Sequence, residues 1–169
     1  MSYERVKNYF EKIGLSDRIT EHELTGDTVE HAAEMIGCTP AEIAKALSFL
    51  VNEKPVMVVM AGDARVNSSK FKARFHQKPT MVPREDVERL IGHKPGGVCP
   101  FAVNEGVPVY LDISMKRFEK VHTAGGIDTA TLWVSVAELE KYSGAVEWVD
   151  VCKGWYINEE PNEVISNVF

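Results

Sequence analysis

Lys45-Ala46-Leu47-Ser48-Phe49-Leu50-Val51-Asn52-Glu53-Lys54-Pro55-Val56-Met57-Val58-Val59-Met60-Ala61 sets the fold expected of this chain. Residues 45–51 and 56–61 are apolar runs of strand length, and the four residues 52–55 between them suit a hairpin turn. The second run is apolar on both faces, which predicts a central strand covered on both sides. The longest apolar stretch, residues 55–61, falls far short of the ~20 residues that span a bilayer.

Toward the N-terminus, Val6, Phe10 and Ile13 recur at helical spacing, with Gly14 as a stop. Residues 19–24 suit a short strand. Thr28 is placed to cap a helix over 29–36 that Gly37 ends. Thr39-Pro40-Ala41-Glu42 is a capping box with proline in the first turn, predicting a second short helix. Toward the C-terminus, residues 67–75 and 84–91 suit helices, and 107–112 and 131–135 suit strands. Ser135-Val136-Ala137-Glu138 is another capping box, opening a helix that ends at Gly144, and residues 145–151 form a last strand. Strands and helices mix without a strict βαβ rhythm. The fold class expected is therefore α+β, a mixed β-sheet surrounded by helices. One domain is expected over residues 1–155. Residues 156–169 are expected to form a C-terminal extension, acidic, weakly patterned and docked.

Composition narrows the function. The 169 residues are 44% hydrophobic and 26% charged, an ordinary globular balance with enough apolar content for a core. The net charge of −6 argues against a protein that wraps DNA through many phosphate contacts. It remains compatible with a local patch that grips one RNA end. Cys38, Cys99 and Cys152 are odd in number and far apart, which predicts reduced thiols in a cytoplasmic protein. The N-terminus leads into a charged helix with no signal-peptide run, so no membrane association is expected. The chain has no GxGxxG, GxxxxGK[ST], HExxH or GxSxG. Its five histidines show no metal-ligand spacing, so no metal and no cofactor are expected.

Three stretches carry polar chemistry. His93-Lys94-Pro95-Gly96-Gly97-Val98-Cys99-Pro100-Phe101 is a stiff loop whose backbone can approach a ligand and whose amides can stabilise an oxyanion. The same composition also suits a plain surface turn. Lys45 enters an apolar strand, either as a fixed cation at a pocket mouth or as an edge lysine snorkelling to water. His122-Thr123-Ala124-Gly125-Gly126 places two glycines after a strand, a second loop for close approach or a simple turn. Cys99 as a nucleophile needs a base or cation beside it, and free cysteine is more often a small buried hydrophobe. Asp112 suits either a pocket contact or a strand-end cap.

Taken in order, Thr28 before a Glu-Ala-Ala-type helix, Lys45 leading a Leu-Ser-Phe strand, the Gly96-x-x-x-Pro100 loop, Tyr110-Leu111-Asp112 and Ala124-Gly125-Gly126 resemble the YbaK/EbsC family. This family is also called the aminoacyl-tRNA synthetase-associated or prolyl-tRNA-deacylase-like domain. The resemblance spans about residues 3–153. It implies a free-standing, trans-acting deacylase of mischarged aminoacyl-tRNA, commonly tRNA(Pro) carrying Ala or Cys. It implies chemistry with no metal and no covalent nucleophile. The implied partners are the 3′ CCA end of aminoacyl-tRNA and prolyl-tRNA synthetase. The implied catalytic set is Lys45 with the loop Gly96, Gly97, Val98, Cys99 and Pro100. Thr28, Asp112, His122, Thr123, Gly125 and Gly126 are the implied substrate-binding positions. Family members often carry Ser where Cys99 stands. Alanyl-specific members often carry Asn after the lysine and cysteinyl-specific ones a hydroxyl residue, and Ala46 matches neither. The alternatives are a non-catalytic module of the same fold that binds tRNA ends, nucleotides or a synthetase, a thiol enzyme using Cys99, and a small-molecule hydrolase.

Overall fold

The computed structural model describes residues 2–155, so the expected extension over 156–169 lies outside the described residues. Strands β2 (Ala44–Val51) and β3 (Lys54–Ala61) form the anticipated hairpin, in register from Ala44 opposite Ala61 to Val51 opposite Lys54. The turn is tighter than four residues. Asn52 and Glu53 both take positive φ, 52° and 67°, the geometry whose twist matches a two-residue hairpin. From Val56 to Ala61, β3 is buried, as its two-sided apolar pattern predicts.

The sheet around β3 is mixed. Its order is β2-β3-β5-β8, with β5 at Val109–Asp112 and β8 at Glu147–Val149. The β2/β3 pair is antiparallel, whereas β3/β5 and β5/β8 are parallel. Parallel pairs need long crossovers, and helices α3 (Ser68–Phe75) and α4 (Arg84–Ile91) lie within the first of them. Phe71 and Phe75 of α3 join Phe49 and Tyr110 in a run of ring contacts 4.6–5.1 Å apart. Helix α1 (Ser2–Lys12) buries Val6 and Phe10, one turn apart, and Phe10 meets Phe101 edge-on at 5.0 Å.

A second, antiparallel sheet has the order β1-β7-β6, with β1 at Ile19–Glu21, β6 at Lys120–Ala124 and β7 at Ala130–Ser135. It meets the first sheet through a parallel bridge between Ile43 and His122. Helix α2 (Val29–Ile36) is bounded as its caps predict. The Thr28 side chain accepts from the His31 amide, and Gly37 is left-handed. Helix α5 (Val136–Tyr142) opens on the Ser135 capping box.

Several elements differ from expectation. The capping box at Thr39 starts only a single 3-10 turn, Pro40–Glu42, because Ile43 is already committed to its bridge and β2 follows at once. The strand over 19–24 stops at Glu21. The run 145–151 yields β8 alone, and Cys152–Lys153 (β9) turns to pair with Arg65–Val66 (β4) in a separate ribbon. No described helix is long and apolar enough to cross a membrane.

Candidate active site

A cavity of about 250 Å³ opens where the two sheets meet. One wall is the N-terminal part of α2 with the loop before it, from Gly26 to Ala32 and on to Ile36. Facing it is the start of β2, Ile43 to Leu47, with Lys45 at its second position. Gly96 and Val98 of the glycine loop and Thr123, Ala124, Ala130 and Thr131 of β6 and β7 complete the lining.

Lys45 is partly buried and its Nζ donates to the carbonyl of Gly62 at 3.3 Å. Burial holds this ammonium below its ordinary range, with Asp63 and Glu30 pulling the other way. No described carboxylate lies within ion-pair distance of this ammonium. Position 62 takes glycine because a Cβ there would fall 2.0 Å from the Pro40 oxygen.

The glycine loop is held from behind. His93 is fully buried, and its Nε2 meets the Phe101 carbonyl at 2.9 Å. A carbonyl only accepts, so Nε2 carries the proton. Burial favours the neutral ring, which leaves Nδ1 to accept from the Ser2 hydroxyl. The same hydroxyl reaches the Gly126 carbonyl at 2.8 Å, its one proton serving one acceptor at a time. The Gly97 amide donates back to Lys94 at 3.0 Å, closing the turn. The amides of Gly96 and Val98 donate to no other described residue, and both residues line the cavity. Gly97 itself is a packing point. A Cβ there would fall 2.6 Å from Ile127 Cα, so the two glycine-bearing loops touch through this residue.

Of the residues singled out from sequence, Lys45, Gly96, Val98, Thr28 and Thr123 line the cavity together. Gly97, Cys99 and Pro100 are buried behind the loop surface, and Gly125 and Gly126 behind the β6–β7 turn. Cys99 is fully buried, and burial pushes its thiol up to about 12, far from a ready thiolate. His122 alternates to the face of β6 opposite Thr123 and lies outside the lining. Asp112, expected among the substrate-binding positions, lies outside the cavity lining. It is fully buried, with Oδ1 accepting from the Val151 amide and Oδ2 from the Ser114 amide, each at 2.9 Å.

Sequence reasoning missed Asp27, Ala32, Ile36, Leu47, Gly62 and Thr131. Ala32 and Ile36 share a helix face at i, i+4, but the partner of that face is set by tertiary packing. Among the described residues no group of three or more His, Cys, Asp or Glu side chains is placed to hold a metal ion.

Comparison with known proteins gives a consistent family. The family model described as the aminoacyl-tRNA editing domain matches residues 24–142. YwhH of Bacillus subtilis (strain 168), named only as an uncharacterized protein, is 38% identical over 156 residues, covering 92% of this chain and 99% of that one. The proline--tRNA ligase of Limosilactobacillus fermentum is 33% identical over 108 residues, 60% of this chain but 19% of the ligase. A crystal structure of a proposed trans-editing enzyme for prolyl-tRNA synthetase superposes with a TM-score of 0.80 at 27% identity, covering 90% of this chain and 98% of that one. That of the hypothetical protein APE2540 superposes with a TM-score of 0.79 at 30% identity, covering 88% and 99%.

Proposed function

The chain belongs to the aminoacyl-tRNA editing domain family, and on that premise we propose that it is a trans-editing hydrolase of mischarged aminoacyl-tRNA. The substrate is tRNA(Pro) or a related tRNA carrying a small amino acid, Ala and Cys being the acyl groups that the family resemblance implies. Prolyl-tRNA synthetase is the matching partner. The observation that carries this reading is the meeting, in one cavity, of the Lys45 ammonium, which has no carboxylate partner among the described residues, with the amides of Gly96 and Val98.

In this mechanism the ammonium of Lys45 holds a phosphate of the CCA end and seats the terminal ribose. The amides of Gly96 and Val98 point to where negative charge develops on the ester carbonyl oxygen. Water adds to the carbonyl carbon, the bond to the ribose oxygen breaks, and that oxygen leaves with a proton. An aminoacyl ester is activated, so positioned donors and one cation suffice without a covalent intermediate. A cavity of this size suits a small acyl group, the kind a synthetase pocket discriminates poorly, at about 1–3 kcal/mol per methylene.

Incubation with excess mischarged tRNA(Pro) tests this reading. Many turnovers per protein molecule, undiminished by EDTA, are expected, since no cluster of ligating side chains is present among the described residues. Stoichiometric binding without release of amino acid identifies a binding module instead.

A further inference from the structure

The polar side chains lining the cavity are paired, with one exception. Asp27 Oδ1 meets His31 Nδ1 at 3.1 Å, and Thr28 Oγ1 accepts from the His31 amide at 3.1 Å. Lys45 donates to Gly62, and Thr131 Oγ1 lies 2.8 Å from His22 Nε2. Thr123 is only 3% exposed, it lines the cavity, and its hydroxyl has no partner among the described residues. It shares the inward face of β6 with the fully buried Val121. Apolar groups such as Ala32, Ile36, Ile43, Ala46 and Val98 make up much of the remaining lining.

With no protein partner, this hydroxyl is left to whatever occupies the cavity, and an acyl group that supplies a hydrogen bond gains over one that does not. We propose that Thr123 is the acyl-selecting residue of this site, and that the group it selects carries a side-chain hydroxyl, a seryl or threonyl ester in preference to an alanyl or cysteinyl one. The inference rests on the deacylase reading above and assigns a hydroxyl-bearing acyl group in place of the alanyl and cysteinyl groups that the family resemblance implies. An alanyl side chain has no polar atom to satisfy Thr123, and a thiol is a weak donor and a weak acceptor. Ala46 is a methyl group and offers no competing hydrogen bond. A water entering beside an alanyl group offsets part of the loss, so the preference is expected near ten-fold and not the far larger factors of a dry site.

The test compares kcat/KM for seryl-, threonyl-, alanyl- and cysteinyl-tRNA on wild type, Thr123→Val and Thr123→Ser, with thermal unfolding as a check on folding. Wild type is expected to favour the hydroxyl-bearing esters over the alanyl ester by about ten-fold or more. In Thr123→Val the ratio should fall to about two-fold or less, because the shape is kept and the hydroxyl is lost. Thr123→Ser, which keeps a hydroxyl, should restore the preference. Equal losses on all esters in Thr123→Val place the hydroxyl on the ester or ribose and overturn the inference alone. So does a wild type that favours alanyl- or cysteinyl-tRNA. A wild type that hydrolyses none of the four overturns the deacylase reading itself.

Discussion

Lys45 carries its charge into the start of β2, where burial disfavours the charged form and only a carbonyl stands within reach. Such a side chain gains its full interaction when an anion arrives. Lys45→Ala is expected to lower deacylation about 10–150-fold, the equivalent of about 1.5–3 kcal/mol for one charge-assisted contact. The variant should unfold at the wild-type temperature or above it, since a buried cation is removed. Lys45→Arg should restore little, because a planar fork does not replace a compact ammonium. Wild-type rates in Lys45→Ala contradict the assignment. In the loop, Cys99→Ser should retain a substantial part of the activity, the thiol being sealed from solvent and protonated at neutral pH. Gly97→Ala should be damaging, since its methyl group would displace the Ile127 backbone. A dead Cys99→Ser beside an active Gly97→Ala, read in the same kinetic assay, reverses the account in favour of a thiol enzyme.

Among the elements, β5 ends in Asp112, whose carboxylate holds the Ser114 and Val151 amides and so ties the end of the strand to the two segments beyond it. Asp112→Ala strands two buried amides and is expected to cost about 2–5 kcal/mol by denaturant unfolding. The protein that remains folded should hydrolyse substrate normally. A selective loss of activity at unchanged stability would return Asp112 to the binding set. This residue marks where the sequence was silent. An aspartate after a strand looks the same whether it caps backbone or faces a substrate. Elements with local signatures were legible. The hairpin followed from two apolar runs flanking Asn52 and Glu53, and α2 from Thr28 and Gly37. The ribbon of β4 and β9 was not, because two-residue strands carry no period and their partners lie far apart in the chain. The cavity was half legible. Lys45 and the glycine loop announce themselves by residue type, whereas Ala32 and Ile36 are ordinary helix-face residues that become a pocket wall only on packing.

At the scale of the whole molecule, one buried and one half-buried histidine set a pH limit. Burial lowers the protonation of His93 and His122 from the ordinary value of 6.5, with Lys120 adding to the effect at His122. Unfolding exposes them, so below about pH 6.5 the unfolded chain binds protons that the native one refuses. Stability should therefore fall as pH drops through 6.5 toward 5. Glu138 adds a separate acid loss. Its carboxyl is held at about 2 by Arg18, so this contribution declines only below about 4.5. His122→Gln should flatten the slope of unfolding free energy between pH 5 and 7, and an unchanged slope removes His122 from this explanation.

The fold brings the Lys45 ammonium and the amides of Gly96 and Val98 to one cavity, and the central claim is that this place hydrolyses aminoacyl esters. The most direct test is a panel of purified Ala-, Cys-, Ser- and Thr-tRNA, incubated at catalytic concentrations of wild type and of Lys45→Ala, with released amino acid followed over time. The prediction is multiple turnovers on at least one of these substrates by wild type, reduced about 10–150-fold in the variant. Wild-type protein that releases no amino acid above the spontaneous rate on any of the four contradicts it.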